Sequence, residues 1–118
     1  MPENKNGNGF LPYALAPEII HALDLLGYQE PTEIQREVIP AVLEGRNVAA
    51  RSRTGTGKTA AFGIPLCEKI VWEENLPQAL VLEPSRELAV QVSNELFHIR
   101  RRKRLKVPAV FGGLPIDK

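Results

Sequence analysis

A single cysteine, Cys67, stands among 118 residues, so no internal disulfide can form and no second thiolate is present to complete a cysteine-based metal site. A buried helix thiol is the plain role for Cys67 and a reactive thiol the alternative. No apolar run approaches the length needed to span a bilayer, and the opening MPENKNGNGF lacks the basic-then-apolar order of a signal peptide. The cytoplasm is therefore the expected location. The sole tryptophan, Trp72, reads as packing rather than as a ligand platform. No internal repeat is visible.

The 43% hydrophobic and 25% charged content suits one globular domain with a core. Residues 1–9, rich in Asn and Gly, are expected to be a disordered tail, leaving 10–118 as the domain. The net charge of +1 conceals an asymmetry. RRRKRLK, Arg100 to Lys106, holds six cations and no acid, leaving nine bases against fourteen acids elsewhere. Such a run is either a phosphate-contacting surface or a solvated helix end whose cations suit the negative end of the dipole.

The spacing predicts a helix begun by Pro17 and stopped by Gly27, with Ile19, Leu23 and Leu26 on one face. A second opens at Thr32, a good N-cap, repeats Ile34, Val38 and Val42, and closes at Gly45. Residues 47–52 (NVAARS), 78–83 (QALVLE) and 106–111 (KVPAVF) read as strands. Between them run KTAAFGIPLCEKI, which Pro65 should bend, and SRELAVQVSNELFHIRR, with Leu88, Val92, Leu96 and Ile99 on one face. Alternating strands and helices imply an α/β fold: a parallel sheet with right-handed crossover helices, its ligand beyond the carboxyl ends of the strands.

At that position stands ARSRTGTGKTAAF, residues 50–62. Gly55-Thr56-Gly57-Lys58-Thr59 matches the end of a phosphate loop: backbone N–H groups wrap a phosphate, Lys58 reaches the terminal phosphates, and the Thr59 hydroxyl meets Mg²⁺. The full pattern asks for glycine where Ser52 stands, so a glycine-rich coil is the rival reading. The order strand, loop, helix favours nucleotide, because the helix N-terminus aims its N–H groups and positive dipole end at the phosphates. The guanine-reading Asn-Lys-x-Asp is absent, since NKNG near the start lacks the aspartate.

Four motifs in order resemble those of the DEAD-box ATP-dependent RNA helicases. GYQEPTEIQ (Gly27 to Gln35) is similar to the Q motif, with Phe10 seventeen residues before Gly27; SRTGTGKT resembles motif I, PSRELA (Pro84 to Ala89) motif Ia, and Phe111-Gly112-Gly113 the glycine doublet. The resemblance implies an incomplete RecA-like P-loop domain. It implies that Gln35 reads the adenine edge, Tyr28 stacks on the ring and Phe10 packs behind the motif. ATP and Mg²⁺ would then be held by Thr54, Gly55, Thr56, Gly57, Lys58 and Thr59, with Lys58 and Thr59 serving the chemistry. RNA backbone would lie along Pro84, Ser85, Arg86, Gly112 and Gly113, in contacts blind to sequence.

Each assignment has a structural rival. Thr32 and Gln35 spell a capping box, Tyr28 could be a helix-end core aromatic, Arg86 and Glu87 a first-turn pair, and the glycine doublet an ordinary turn. Against the family pattern, Ser52 replaces an alanine and adds a hydroxyl, while Ser85 replaces a threonine and keeps one. Glu83 would repel RNA phosphate unless Arg86 or the basic run pairs with it. The chain holds no T-P-G-R, D-E-A-D or S-A-T motif and no second RecA-like domain with its arginine finger. Hydrolysis by these 118 residues alone is therefore expected to be negligible. A different class remains open: a non-catalytic chain that holds nucleotide weakly or serves only as an interaction module.

Overall fold

A computed structural model describes residues 8–51, 57–70, 77–100 and 107–110. The calls on Ser52, Thr54, Gly55, Thr56, Trp72, Arg101 to Lys106, Gly112 and Gly113 lie outside them. Among the described residues there are four α-helices: α1 (Pro17–Leu26), α2 (Glu33–Leu43), α3 (Lys58–Lys69) and α4 (Arg86–Arg100), after a 3-10 turn over Leu11–Tyr13.

Both of the first two helices stop as their glycines dictate. Gly27 and Gly45 each sit at φ 85°, in the left-handed region that a Cβ makes costly. After α1, Tyr28 N–H reaches the Leu23 carbonyl (2.8 Å) and Gly27 N–H that of Asp24 (3.1 Å); after α2, Arg46 reaches Ala41 (3.0 Å) and Gly45 reaches Val42 (2.9 Å). These crossed pairs satisfy the last carbonyls of each helix.

Helix α3 packs against α1, α2 and α4. One cluster joins Phe10, Ile19 and Leu23 to Ile39, Ile64, Val92, Leu96 and Ile99. At Gly63 the lack of a side chain lets α3 and α4 approach closely: a Cβ there would lie 2.6 Å from Leu96 Cδ2. Cys67 is buried, as read from the sequence, with its thiol 4.0 Å from the Leu96 carbonyl. Pro65 lies buried inside α3 and, lacking an N–H, cannot serve the Ala61 carbonyl.

Three kinds of expectation are corrected: the tail, the buried faces of two helices, and the sheet. Asn8 and Gly9, assigned to the disordered tail, are packed: Asn8 is 3% exposed and donates from Nδ2 to Asp24 Oδ1 (2.6 Å) and the Tyr28 carbonyl (2.8 Å). Its Oδ1 accepts from Phe10 N–H (2.9 Å), the side-chain turn that asparagine makes two residues on. On α2 the buried positions are Gln35, Val38 and Ile39, with Ile34 and Val42 only half-buried, so the inner face is rotated from the one anticipated. On α4, Val92, Leu96 and Ile99 face inward while Leu88 is 39% exposed.

The third correction concerns the sheet. No strand is assigned among the described residues, so a parallel sheet is not formed over 46–51, 77–83 or 107–110. Strands are held by ladder hydrogen bonds to neighbours, and an alternating sequence without a paired neighbour remains extended coil. The period-two signal nevertheless persists in burial. Val81 and Val107 pack on the helical core while Leu80 (82%), Leu82 (81%) and Val110 (70%) are exposed. The helices therefore cover only one side of these segments.

Candidate nucleotide site

Helix α2 begins with a complete capping box. Thr32 Oγ1 accepts from Gln35 N–H (3.4 Å), and Gln35 Oε1 accepts from Thr32 N–H (2.8 Å). The structural rival for Gln35 is thus present, yet the cap uses only part of the amide. Gln35 Nε2 also donates to the carbonyl of Gly57 (3.1 Å), the residue preceding α3. Gln35 is 4% exposed and ties the start of α2 to the start of α3.

Gly57 adopts φ 84° and caps α3 without a side chain. A Cβ on it would collide with the Gln35 amide, so the contact requires glycine twice over, for backbone angle and for space. No side chain caps the first turn of α3, and no acid lies in it. The first N–H groups and the positive dipole end lie at Lys58, which is exposed, and Thr59, half-buried. An anion is what such a helix start accommodates best.

The two aromatic residues are held in different ways. Phe10 is fully buried, 6.2 Å from the Tyr13 ring at a tilted angle, in the core behind the loop between α1 and α2. The half-buried Tyr28 donates its hydroxyl to Glu95 Oε2 of α4 at 2.5 Å. Burial first, then that hydrogen bond and the carboxylate's charge, push the phenol well above its ordinary pKa. Glu95, absent from the sequence reading, thus fixes the Tyr28 ring through its tip.

In the PSREL segment, Pro84 is exposed and Ser85 Oγ accepts from Leu88 N–H (3.2 Å), the bond of a helix N-cap. Arg86 is the first residue of α4 and exposed. Asn8 is the other residue missed, along with Glu68, whose Oε1 accepts from Ala16 N–H (2.9 Å) and so seats the uncapped start of α1 on α3. The Asn-Gly pair before Phe10 was a legible turn signal, whereas nothing local pointed to Glu68 or Glu95.

A capped start of one helix is thus joined through a buried glutamine to a lysine-first helix N-terminus with no side-chain cap, the kind of helix start that suits an anion. Comparison with known proteins gives the family. The model of the DEAD/DEAH box helicase family matches residues 32–118, and the chain belongs to that family. It is 54% identical over 109 residues to the ATP-dependent RNA helicase DbpA of Bacillus subtilis, covering 92% of this chain and 23% of that protein. It is 44% identical to the DEAD-box ATP-dependent RNA helicase CshA of Geobacillus kaustophilus, again over 92% of this chain and 23% of the relative. The chain thus spans about a quarter of the length of these relatives.

Among solved structures, a DEAD box protein from the hyperthermophile Methanococcus jannaschii superposes with TM-score 0.84 at 38% identity, over 97% of this chain and 30% of that one. Dbp5 of S. cerevisiae, bound to RNA and ADP BeF3, gives 0.75 at 36%, over 80% and 25%. The path of the chain is accordingly that of a RecA-like helicase domain, even though none of the described residues is in a strand.

Proposed function

We propose that the chain carries the ATP-binding element of a DEAD-box ATP-dependent RNA helicase. The observation that supports this most is the link from Gln35 Nε2 to the Gly57 carbonyl at the open N-terminus of α3. Gln35 has one amide hydrogen and one oxygen lone pair beyond the bonds it makes to Gly57 and Thr32. Those two would serve adenine N7 and N6, so capping and base reading are compatible.

Gly57, Lys58 and Thr59, with Thr54, Gly55 and Thr56, would hold the triphosphate. Lys58 would neutralise the terminal phosphates and Thr59 would offer its hydroxyl to Mg²⁺, which supplies charge neutralisation where the phosphates meet the loop. Phe10 would support the Q motif from the core. Tyr28 has less support as a stacking platform, because Glu95 orients it. Pro84, Ser85 and Arg86, with Gly112 and Gly113, would follow the RNA backbone in sequence-blind contacts; Ser85 would do so while capping α4.

No D-E-A-D carboxylates occur in the 118 residues, so we expect binding without appreciable turnover by the chain alone. The test is calorimetric titration with MgATP. Lys58→Ala should abolish measurable binding with an unchanged far-UV spectrum, since the exposed Lys58 side chain has no core role. Equal affinity in variant and parent would remove the phosphate-loop assignment.

A further inference from the structure

The outer side of the α4 C-terminal turn carries a cluster that the nucleotide site does not use. Phe97 is 51% exposed although its helical neighbours Leu96 and Ile99 are buried. The Arg100 guanidinium lies 4.0 Å over the Phe97 ring centroid, and the His98 ring meets Phe97 edge-on at 5.6 Å. The imidazole in turn engages the Asn94 carbonyl at 2.8 Å through Nδ1. Phe97 and Arg100 are three residues apart, the spacing that sets two side chains side by side on a helix. A planar cation stacked on an exposed aromatic is a surface on which a further flat ring can continue the stack.

Charge indicates what that ring belongs to. The helix ends with His98 and Arg100 in its last turn, and the sequence continues through five more cations by Lys106 without an acid. That excess is larger than the C-terminal dipole calls for, and it stands against a net charge of only +1 for the whole chain. A polyanion that also presents flat faces fits both features, which is single-stranded RNA. An acidic protein would satisfy the cations but leave the stack unused.

We propose that Phe97 and Arg100 form an accessory platform for single-stranded RNA, separate from the motif at Pro84 to Arg86, with one unpaired base on the stack. The proposal rests on the reading of the chain as an RNA-binding one. The platform lies at the opposite end of α4 from Arg86, fourteen residues and about 20 Å along a helix rising 1.5 Å per residue. Strand would therefore be engaged at both ends of α4.

The experiment measures fluorescence anisotropy of the full chain, at low salt, with a labelled twelve-nucleotide oligouridine and with a duplex of equal length. Phe97→Ala should weaken oligouridine binding by roughly tenfold, the effect of losing one stacked base, and leave duplex binding unchanged. Phe97→Trp should retain or improve it, and Arg100→Gln should weaken both ligands and flatten the salt dependence. Melting midpoints control for folding, and irradiation at 254 nm should crosslink uridine to a peptide containing Phe97 in the parent. Parental affinity in Phe97→Ala with no crosslink would overturn the platform. If Arg86→Ala weakens binding in that case, the RNA reading itself stands, and if the parent binds neither ligand, both fall.

Discussion

Replacing Gln35 by glutamate separates what this side chain does for the fold from what it does for a base. The cap survives: a carboxylate still accepts from Thr32 N–H, now at 2.8 Å from Gln35 Oε1, and a negative charge in the first turn suits the helix dipole. The bond to Gly57 does not. Nε2 donates there at 3.1 Å, and Gln35→Glu sets an acceptor against an acceptor at a position only 4% exposed. Losing that bond and leaving the Gly57 carbonyl unmet costs about 1–3 kcal/mol. For a chain of this size that lowers the melting midpoint by roughly 4–12 °C. Burial also raises the introduced carboxyl's pKa above its unfolded value, so the folded form takes up a proton that the unfolded chain releases. The penalty is therefore present at neutral pH and fades as pH falls toward the ordinary carboxylate range, where a protonated oxygen can donate to Gly57 again. ATP affinity should fall about tenfold to a hundredfold with the donor to N7, a contact that adenine and guanine share, while the retained acceptor toward N6 keeps ATP preferred over GTP. Thermal melts at pH 5 and pH 7, with calorimetry for both nucleotides, read all three effects. A variant that melts like the parent at both pH values and binds ATP as tightly as the parent would refute both roles assigned to Gln35.

The raised pKa of Tyr28 means the folded state holds its proton longer than the unfolded one, so its contribution is complete below pH 10 and is lost as pH climbs above it. Tyr28→Phe should cost about 1–2 kcal/mol at neutral pH and remove that alkaline slope in denaturant titrations; an unchanged slope would deny the Glu95 bond. Asn8→Asp should place a second carboxylate where Nδ2 now meets Asp24 at 2.6 Å, destabilising by about 2–4 kcal/mol at pH 7 with recovery on acidification, whereas Asn8→Ala should show no such recovery. Gly63→Ala should cost about 1–3 kcal/mol by forcing Leu96 aside, and a neutral result in urea melts would show that the α3–α4 contact has slack.

The helices were legible because their signals are local. Pro17, Gly27, Thr32 and Gly45 set the ends of α1 and α2 through backbone angles and side chains within a few residues, and the structure keeps those bounds within two residues. The inner face of α2 was misjudged because Gln35 occupies a buried position that an apolar count skips; its amide is admitted by Thr32 and Gly57, and Gly57 is 22 residues away. The same distance problem hid Glu68 and Glu95, whose partners Ala16 and Tyr28 lie 52 and 67 residues off. Asn8 was misread for a different reason. Composition alone made residues 1–9 a tail, while the Asx turn onto Phe10 and the bond to the Tyr28 carbonyl make Asn8 part of the packed structure.

The sheet was expected from pattern and is not realised in hydrogen bonds among the described residues, and the two facts have one cause. Alternation records which side of a segment meets the helices, and that half of the expectation holds: Val81 and Val107 face the core, and Ser93 Oγ on α4 donates to the Val107 carbonyl at 2.7 Å. Strand pairing is a property of two segments in register, which no single segment encodes. Leu80 and Leu82, both more than four-fifths exposed, are the other side of the same alternation, and a β-layer wet on its apolar side gains too little from burial to fix its register. Helix caps, by contrast, hold the start of α2 and the end of α1 by bonds that need no second layer. The Gln35 end of the Gln35–Gly57 link therefore rests on the locally determined cap of α2, and the junction of α2 with α3 does not wait on the sheet.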